Sequence, residues 1–364
     1  MSWKNVTLGD VCKVIAGQSP ESINYNKEGK GLAFYQGKKD FGDVYVNPPT
    51  VWTTEITKEA IKNDILMSVR APVGPVNIAT EHICIGRGLA AIRTTERINQ
   101  AYLFYYLLKI EKELVGNAGA VFNSINKTQI ENLSVPLPPL PTQKKIVAKL
   151  DAIFAEINIA TAAAEENANN AEALFQSFLE NLFLRISEAN KPLKLSNFIK
   201  LEYGKGLEDS DRELNGIYGA YGANGIKSKT NKFLYDKPSI VVGRKGSAGE
   251  LTLVEEKFWA LDVTYYVTHD IKKTDLTFLY YALKMLNIPS LAKGIKPGIN
   301  RNDVYDLTVA VPILSEQKSL VEKILFVNKN LEIAKNLYKS KCNELTLLKQ
   351  SILKKAFSGE LVKD

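Results

Sequence analysis

Apolar or small side chains recur at Ile146, Leu150, Ile153, Ile157, Ala160, Ala164, Ala168 and Ala171, in steps of four and three. Leu320, Ile324, Val327, Leu331, Ala334, Tyr338, Cys342 and Leu345 repeat the same order of steps. A mean step near 3.5 is the period of a coiled-coil seam. Each run predicts a helix of about 40–45 residues, roughly 60–68 Å long at 1.5 Å per residue. One such helix cannot bury its own stripe. The two therefore pack on each other, antiparallel if the halves of the chain are related by a two-fold axis. Leu150, Ile153 and Ile157 of the first helix and Ile324, Val327 and Leu331 of the second form the expected seam. A long helix buried in a globular core is the alternative, but small residues mixed sparsely with bulky ones suit a two-helix seam better. Pro136-Leu137-Pro138-Pro139-Leu140-Pro141 makes a rigid lead-in, with Thr142 as the N-cap; Ser315 with Glu316 takes that part in the second run.

Elsewhere the pattern is short and β-rich, broken by Gly and Pro turns. Ile65–Val69 and Ser239–Val242 read as strands ending in loops, and Ala101–Lys109 and Leu276–Leu286 as short apolar helices. The chain also repeats itself. Residues 121–150 laid on 295–324 give ten identities in thirty positions at a constant offset of 174. That offset also pairs Arg70 with Arg244, Phe104 and Tyr106 with Phe278 and Tyr280, Gln176-Ser177 with Gln350-Ser351, and Phe183 with Phe357. Nearer the front of each copy the register slips, and Gly17 best matches Gly204. A duplicated unit with a diverged front and a preserved back follows. The expected fold class is α+β: two similar, mixed, β-rich domains joined by two long helices in an antiparallel coiled coil, with a pseudo-two-fold internal repeat. The boundaries are a first domain at 1–136, a central helix at 137–190, a second domain at 191–311 and a C-terminal helix at 312–364.

Composition narrows the function. The 364 residues are 45% hydrophobic and 24% charged, as in a folded chain. No run approaches the ~20 apolar residues of a membrane span. Residues 1–5 carry no apolar signal segment, so a cytoplasmic location is expected. Cys12, Cys84 and Cys342 are odd in number and far apart, and His82 and His269 are the only histidines, so neither a disulfide framework nor a metal centre is expected. The formal net charge of +7 suits a polyanion partner.

Candidate chemistry is sparse. Asn47-Pro48-Pro49-Thr50 resembles the Asn-Pro-Pro-aromatic loop of amino-methyltransferases, but Thr50 replaces the aromatic and no GxGxxG loop accompanies it; a Pro-Pro turn accounts for it. Asp236 with Glu255-Glu256-Lys257 has loose nuclease spacing, without counterparts in the first copy. No Ser-His-Asp or Cys-His set can be assembled, and the expected catalytic set, metal and cofactor are all none. The basic loops say more. Gly243-Arg244-Lys245-Gly246-Ser247-Ala248-Gly249 and its partner Val69-Arg70-Ala71-Pro72-Val73-Gly74 each offer an arginine on a tight turn after a strand, suited to a phosphate or a guanine edge. Lys38 and Lys39 follow Phe34-Tyr35, and Lys227 follows a glycine-tyrosine loop that includes Tyr221. Lys205 and the repeated Asn126 and Arg301 complete the candidate DNA contacts.

Leu-Pro-Pro-Leu-Pro-Thr-Gln-Lys-Lys-Ile-Val at 137–147, its degenerate partner Val311-Pro312-Ile313-Leu314-Ser315-Glu316-Gln317-Lys318, and the tail Gln350-Ser351-Ile352-Leu353-Lys354-Lys355-Ala356-Phe357-Ser358-Gly359-Glu360-Leu361 resemble the specificity subunit of type I restriction–modification enzymes. The resemblance covers essentially the whole chain. It departs at Phe183-Leu184-Arg185, which lacks the Ser-Gly-Glu-Leu ending. It implies that each front part is a target recognition domain reading one half of an asymmetric, bipartite site in double-stranded DNA. It also implies that the helices set the gap and dock two methyltransferase subunits. Restriction subunits, ATP and S-adenosylmethionine then belong to the wider complex. Two-fold binders meet DNA about one helical turn, ~34 Å, apart.

Overall fold

A computed structural model describes residues 3–115 and 124–362. The chain divides into two compact units. Unit 1 comprises Met1–Ala164 with Ser340–Asp364, and unit 2 comprises Glu165–Lys339. Each unit therefore holds the first part of one long helix and the last part of the other.

Within unit 1 a four-stranded antiparallel sheet runs in the order Cys12–Ala16, Leu89–Thr94, Ile65–Ser68, Val76–Ile78. A two-stranded sheet pairs Asn5–Thr7 with Ser134–Pro136. A five-stranded sheet contains the parallel pair Leu32–Tyr35 and Ile83–Ile85. Unit 2 repeats this plan. Its four-stranded antiparallel sheet runs Ile199–Tyr203, Thr264–His269, Ser239–Gly243, Leu251–Val254. Its two-stranded sheet pairs Leu193–Lys194 with Thr308–Val309. Its third sheet has only three strands, Gly225–Thr230, Tyr218–Gly222 and Phe258–Ala260, the last two parallel. The α+β repeat inferred from the sequence is thus present in strand order, and the divergence sits in the third sheet. Gly17 and Gly204 explain why the front registers through glycine: a Cβ at either would meet a carbonyl oxygen, Gly86 O at 2.2 Å or Leu261 O at 2.1 Å.

The helix Gln100–Val115 covers the unit 1 core through Tyr102, Leu103 and Leu107, all fully buried. Leu276–Met285 does the same in unit 2 through Phe278 and Leu279. Both are tied to a long helix by a buried glutamine. Gln143 accepts from Asn99 N at 2.7 Å and donates to Pro138 O at 2.8 Å. Gln317 accepts from Asp275 N at 2.8 Å and donates to Pro312 O at 2.7 Å. Asn99 and Asp275 in turn accept from the third helical N–H, Tyr102 N and Phe278 N. One side chain thereby joins the proline lead-in, the long helix and the capped short helix. Replacing Gln143 or Gln317 by leucine leaves buried backbone groups unpaired, at about 1–3 kcal/mol each. A lower denaturation midpoint is expected for each variant; an unchanged midpoint would contradict the clamp.

The long helices span Leu140–Ala189 and Leu314–Phe357, 50 and 44 residues. Both begin before the expected caps, within the expected bounds of 137–190 and 312–364. Thr142 and Ser315 lie inside the first turn rather than capping it; in the first helix Pro141 is tolerated because its N–H would be unsatisfied there anyway. The first helix ends at Ala189. Gly359 adopts φ 86° and stops the second helix, with the N–H groups of Glu360 and Leu361 turned back to Lys355 O. Arg185 stands at the matching position, and the first helix runs on past it.

In each unit the two helices are antiparallel neighbours. In unit 1, Lys149 Nζ donates to Leu361 O at 3.0 Å and Lys349 Nζ donates to Asn158 Oδ1. In unit 2, Lys335 Nζ meets Glu172 Oε2 at 2.8 Å, and Phe175 and Leu179 share a buried cluster with Ile324 and Leu331. Leu150, Ile157, Ile324 and Leu331 are buried; Ile153 and Val327 are half-buried. The stripe does more than the expected helix-to-helix packing, because Leu150 also enters the unit 1 core and Ile324 touches the cluster of Tyr281. The tail phenylalanines are exchanged between copies. Phe357 packs on Tyr102 and Tyr106, with ring centroids at 5.1 and 5.2 Å, and Phe183 on Phe278 at 5.6 Å.

Candidate nucleic-acid interface

In unit 1 the candidate cations converge on one cleft of about 830 Å³. Strand Ile65–Ser68 delivers Arg70, the turn after Leu32–Tyr35 delivers Lys38 and Lys39, and the approach to Leu89 delivers Arg87. All four are exposed. Ser19, Ser22 and Tyr25 line the cleft as well, and none of its described lining residues is acidic. The loops can close in because Gly88 has no Cβ; one there would meet Gln36 O at 2.3 Å. Val69 N donates to Gly88 O at 2.9 Å, and Arg87 N to Ser19 Oγ at 3.2 Å. Asp40, the nearest acid in sequence to the lysine pair, is occupied with backbone, accepting from Gln36 N at 2.8 Å and Gly37 N at 3.3 Å. Four exposed cations, with no salt-bridge partner among the described residues, surround serine hydroxyls, a chemistry suited to phosphate oxygens.

Unit 2 presents its cations differently. Arg244 follows strand Ser239–Gly243 as Arg70 follows its own strand, but it is half-buried. Its Nε and Nη2 donate to Asp262 O at 3.2 and 2.6 Å. Its guanidinium lies 5.5 Å from the Tyr203 ring centre and 5.9 Å from that of Tyr265. Gly246 and Gly249 of its loop have positive φ, and a Cβ on Gly249 would meet Pro289 N at 2.4 Å, so the loop is glycine-built for close packing. Arg301 reaches the same ring at 5.3 Å. Lys245, Lys205 and Lys227 are exposed. Lys205 sits where its own carbonyl accepts from Trp259 Nε1 at 2.9 Å.

Two candidates do other work. Tyr221 is buried, with its ring edge-on to Phe258 at 5.8 Å, and burial pushes its hydroxyl pKa up. Strand Tyr218–Gly222 is buried on both faces, with Ala220 in one apolar cluster and Tyr221 in another, so the surface placement expected from its glycine-tyrosine loop is corrected. Asn126 caps the helix Lys127–Glu131: its side chain accepts from Gln129 N at 2.9 Å while Gln129 returns the bond to Asn126 N. Arg87 and Tyr203 were missed in the sequence. Gly86-Arg87-Gly88 carries the same arginine-among-glycines signal as the Arg244 loop. Tyr203 has no such signal, since its partners are distant in the chain.

The rival chemistry finds little support in the geometry. Asn47 Nδ2 donates to Phe41 O at 3.0 Å, fixing a turn. Asp236, Glu255 and Glu256 are exposed, and Lys257 Nζ lies over the Phe233 ring at 4.7 Å. Among the described residues no group of three or more His, Cys, Asp or Glu is placed to hold a metal ion, and no helix is long and apolar enough to cross a membrane.

Comparison with known proteins adds an independent line. The family profile for the type I restriction modification DNA specificity domain matches residues 1–167 and 188–340. A putative type I restriction enzyme MjaX specificity subunit of Methanocaldococcus jannaschii is 49% identical over 156 residues, which cover 42% of this chain and 36% of that protein. The MjaVIII specificity subunit of the same organism is 22% identical over 91% of this chain and 87% of its own length. A solved chain from a type I R-M system matches 99% of this chain and 98% of its own length, with a TM-score of 0.80 at 18% identity, a likeness of fold.

Proposed function

We propose, on the premise that this chain belongs to the type I restriction modification DNA specificity family, that it is the subunit through which such a complex recognises DNA. The observation that carries the reading is the cleft of unit 1, where Arg70, Arg87, Lys38 and Lys39 gather without an acid among the described lining residues. Unit 2 offers Arg244 at the end of the corresponding strand. Each unit reads one half of a bipartite site. The halves differ in sequence because the third sheets and the loops they carry differ. The paired helices act as the spacer, and their outward faces dock two methyltransferase subunits. Catalysis, ATP and S-adenosylmethionine reside in the partner subunits, and restriction subunits complete the assembly. The chain itself works in the cytoplasm as a binding module.

A binding titration tests this. The full chain with its modification subunits is titrated with mixed-sequence duplex at two salt concentrations. Affinity falls with salt, the logarithmic slope changing by about 0.9 for each phosphate engaged. Salt-independent binding would contradict the reading. The runner-up is a self-contained nuclease or methyltransferase. Turnover by the purified chain alone, given magnesium or a methyl donor, would favour it.

A further inference from the structure

Tyr203 ends the strand Ile199–Tyr203, and Gly204 follows hard against Leu261 O, leaving Tyr203 at the surface with 50% exposure. Two guanidiniums lie against this one ring, Arg244 at 5.5 Å and Arg301 at 5.3 Å from its centre. The layers continue on both sides. Tyr265 stands edge-on to Tyr203 at 5.0 Å and lies 5.9 Å from Arg244, while Tyr305 lies 5.8 Å from Arg301. Backbone completes the brace: Asp262 O holds Arg244, and Arg301 Nη1 donates to Leu201 O at 3.4 Å. Tyr305 Oη accepts from Leu201 N at 2.8 Å, fixing the outer ring to the same strand. Unit 1 has no such brace at the matching place, because Ala16 precedes Gly17 where Tyr203 precedes Gly204.

We propose that Tyr203 is a positioning residue that holds the Arg244 fork in a fixed plane, so that unit 2 reads a guanine. The inference deepens the DNA-recognition reading and rests on it. A phosphate needs only a cation within reach, which the exposed side chains of unit 1 supply. A base edge needs a donor pair of fixed orientation. Arginine has five N–H donors in a rigid fork. Asp262 O engages Nε and one Nη2 hydrogen, which leaves the end-on pair, Nη1 with the outer Nη2 hydrogen, for a ligand. That pair matches the O6 and N7 acceptors of guanine, the commonest specific contact in a major groove. The aromatic layers also remove side-chain freedom before binding, so less is given up when the pair forms. Arg301 shares the platform and adds charge to it.

Selection from a random duplex pool by the full chain with its modification subunits tests this. The wild type enriches two sequence blocks, one containing a guanine read by unit 2. Arg244→Lys keeps the charge but lowers that guanine preference about tenfold or more, with the salt slope unchanged. Tyr203→Leu lowers it likewise, and Tyr203→Phe, which keeps the ring, retains it. The other block is unaltered in all three. Unchanged guanine enrichment in Arg244→Lys and Tyr203→Leu overturns the proposal. So does a uniform loss over all sequences with a smaller salt slope, which marks a phosphate contact. Because Tyr203→Phe and Arg244→Lys are conservative, a Tyr203→Leu chain that fails to fold still leaves a decisive comparison. A wild type that binds DNA without enriching any block overturns the recognition reading itself, and the proposal with it.

Discussion

Replacing Leu150 and Ile324 together by aspartate unfolds the chain at temperatures where the wild type is native. Both side chains are fully buried, in separate clusters. Truncating either to alanine costs about 2–5 kcal/mol through lost burial and the cavity left behind. Aspartate adds the desolvation of a carboxylate set among apolar side chains. Costs in separate clusters add. The sum reaches the total stability of an ordinary domain, about 5–15 kcal/mol. Thermal melting followed by helix content reads the effect. A double variant that melts with the wild type would mean that the stripe does not hold these helices.

The second large effect concerns binding. Neutralising Lys38, Lys39, Arg70 and Arg87 to alanine in one chain removes every described charged side chain of the unit 1 cleft. All four side chains are exposed, so the fold should survive. Affinity for duplex DNA should fall on every sequence alike, and the salt slope should shrink by about 0.9 for each phosphate no longer neutralised. Arg70→Ala alone should give a smaller drop of the same kind. Arg244→Ala should behave otherwise, removing a side chain whose guanidinium lies 5.5 Å from the Tyr203 ring centre and is bonded to Asp262 O, so that specificity suffers more than salt dependence. A quadruple variant with wild-type affinity and slope would remove the cleft from the interface.

The sequence made the long helices and the repeat legible because both leave periodic marks. Ile146 to Ala171 and Leu320 to Leu345 advance in the same steps, and the constant offset links Phe183 to Phe357 and Arg70 to Arg244. The expected caps Thr142 and Ser315 fall inside the helices: Pro141 is compatible with a first turn and gives no sign of the start, and Leu314 begins the second helix two residues after Pro312. Gln143 and Gln317 appear in the sequence only as matching letters; their bonds to Asn99 and Asp275 depend on folding. The candidate site was half legible. Arginines at Gly- or Pro-marked turns point to strand ends, where Arg70 and Arg244 do lie. Tyr221 misleads because its strand is buried on both faces, which the small residues around it do not announce. Tyr203 stayed invisible because its partners Arg244 and Arg301 come from a later loop and a helix.

The central claim is that two units address separate stretches of duplex and that the helix pair sets the interval. Inserting seven residues at matched points of both long helices lengthens each by about 10 Å while preserving the seam. At roughly 3.4 Å per base pair, the unspecified gap between the two blocks enriched from a random duplex pool should grow by about three base pairs, with both blocks unchanged. A gap of the original length, or a single continuous block, would contradict it.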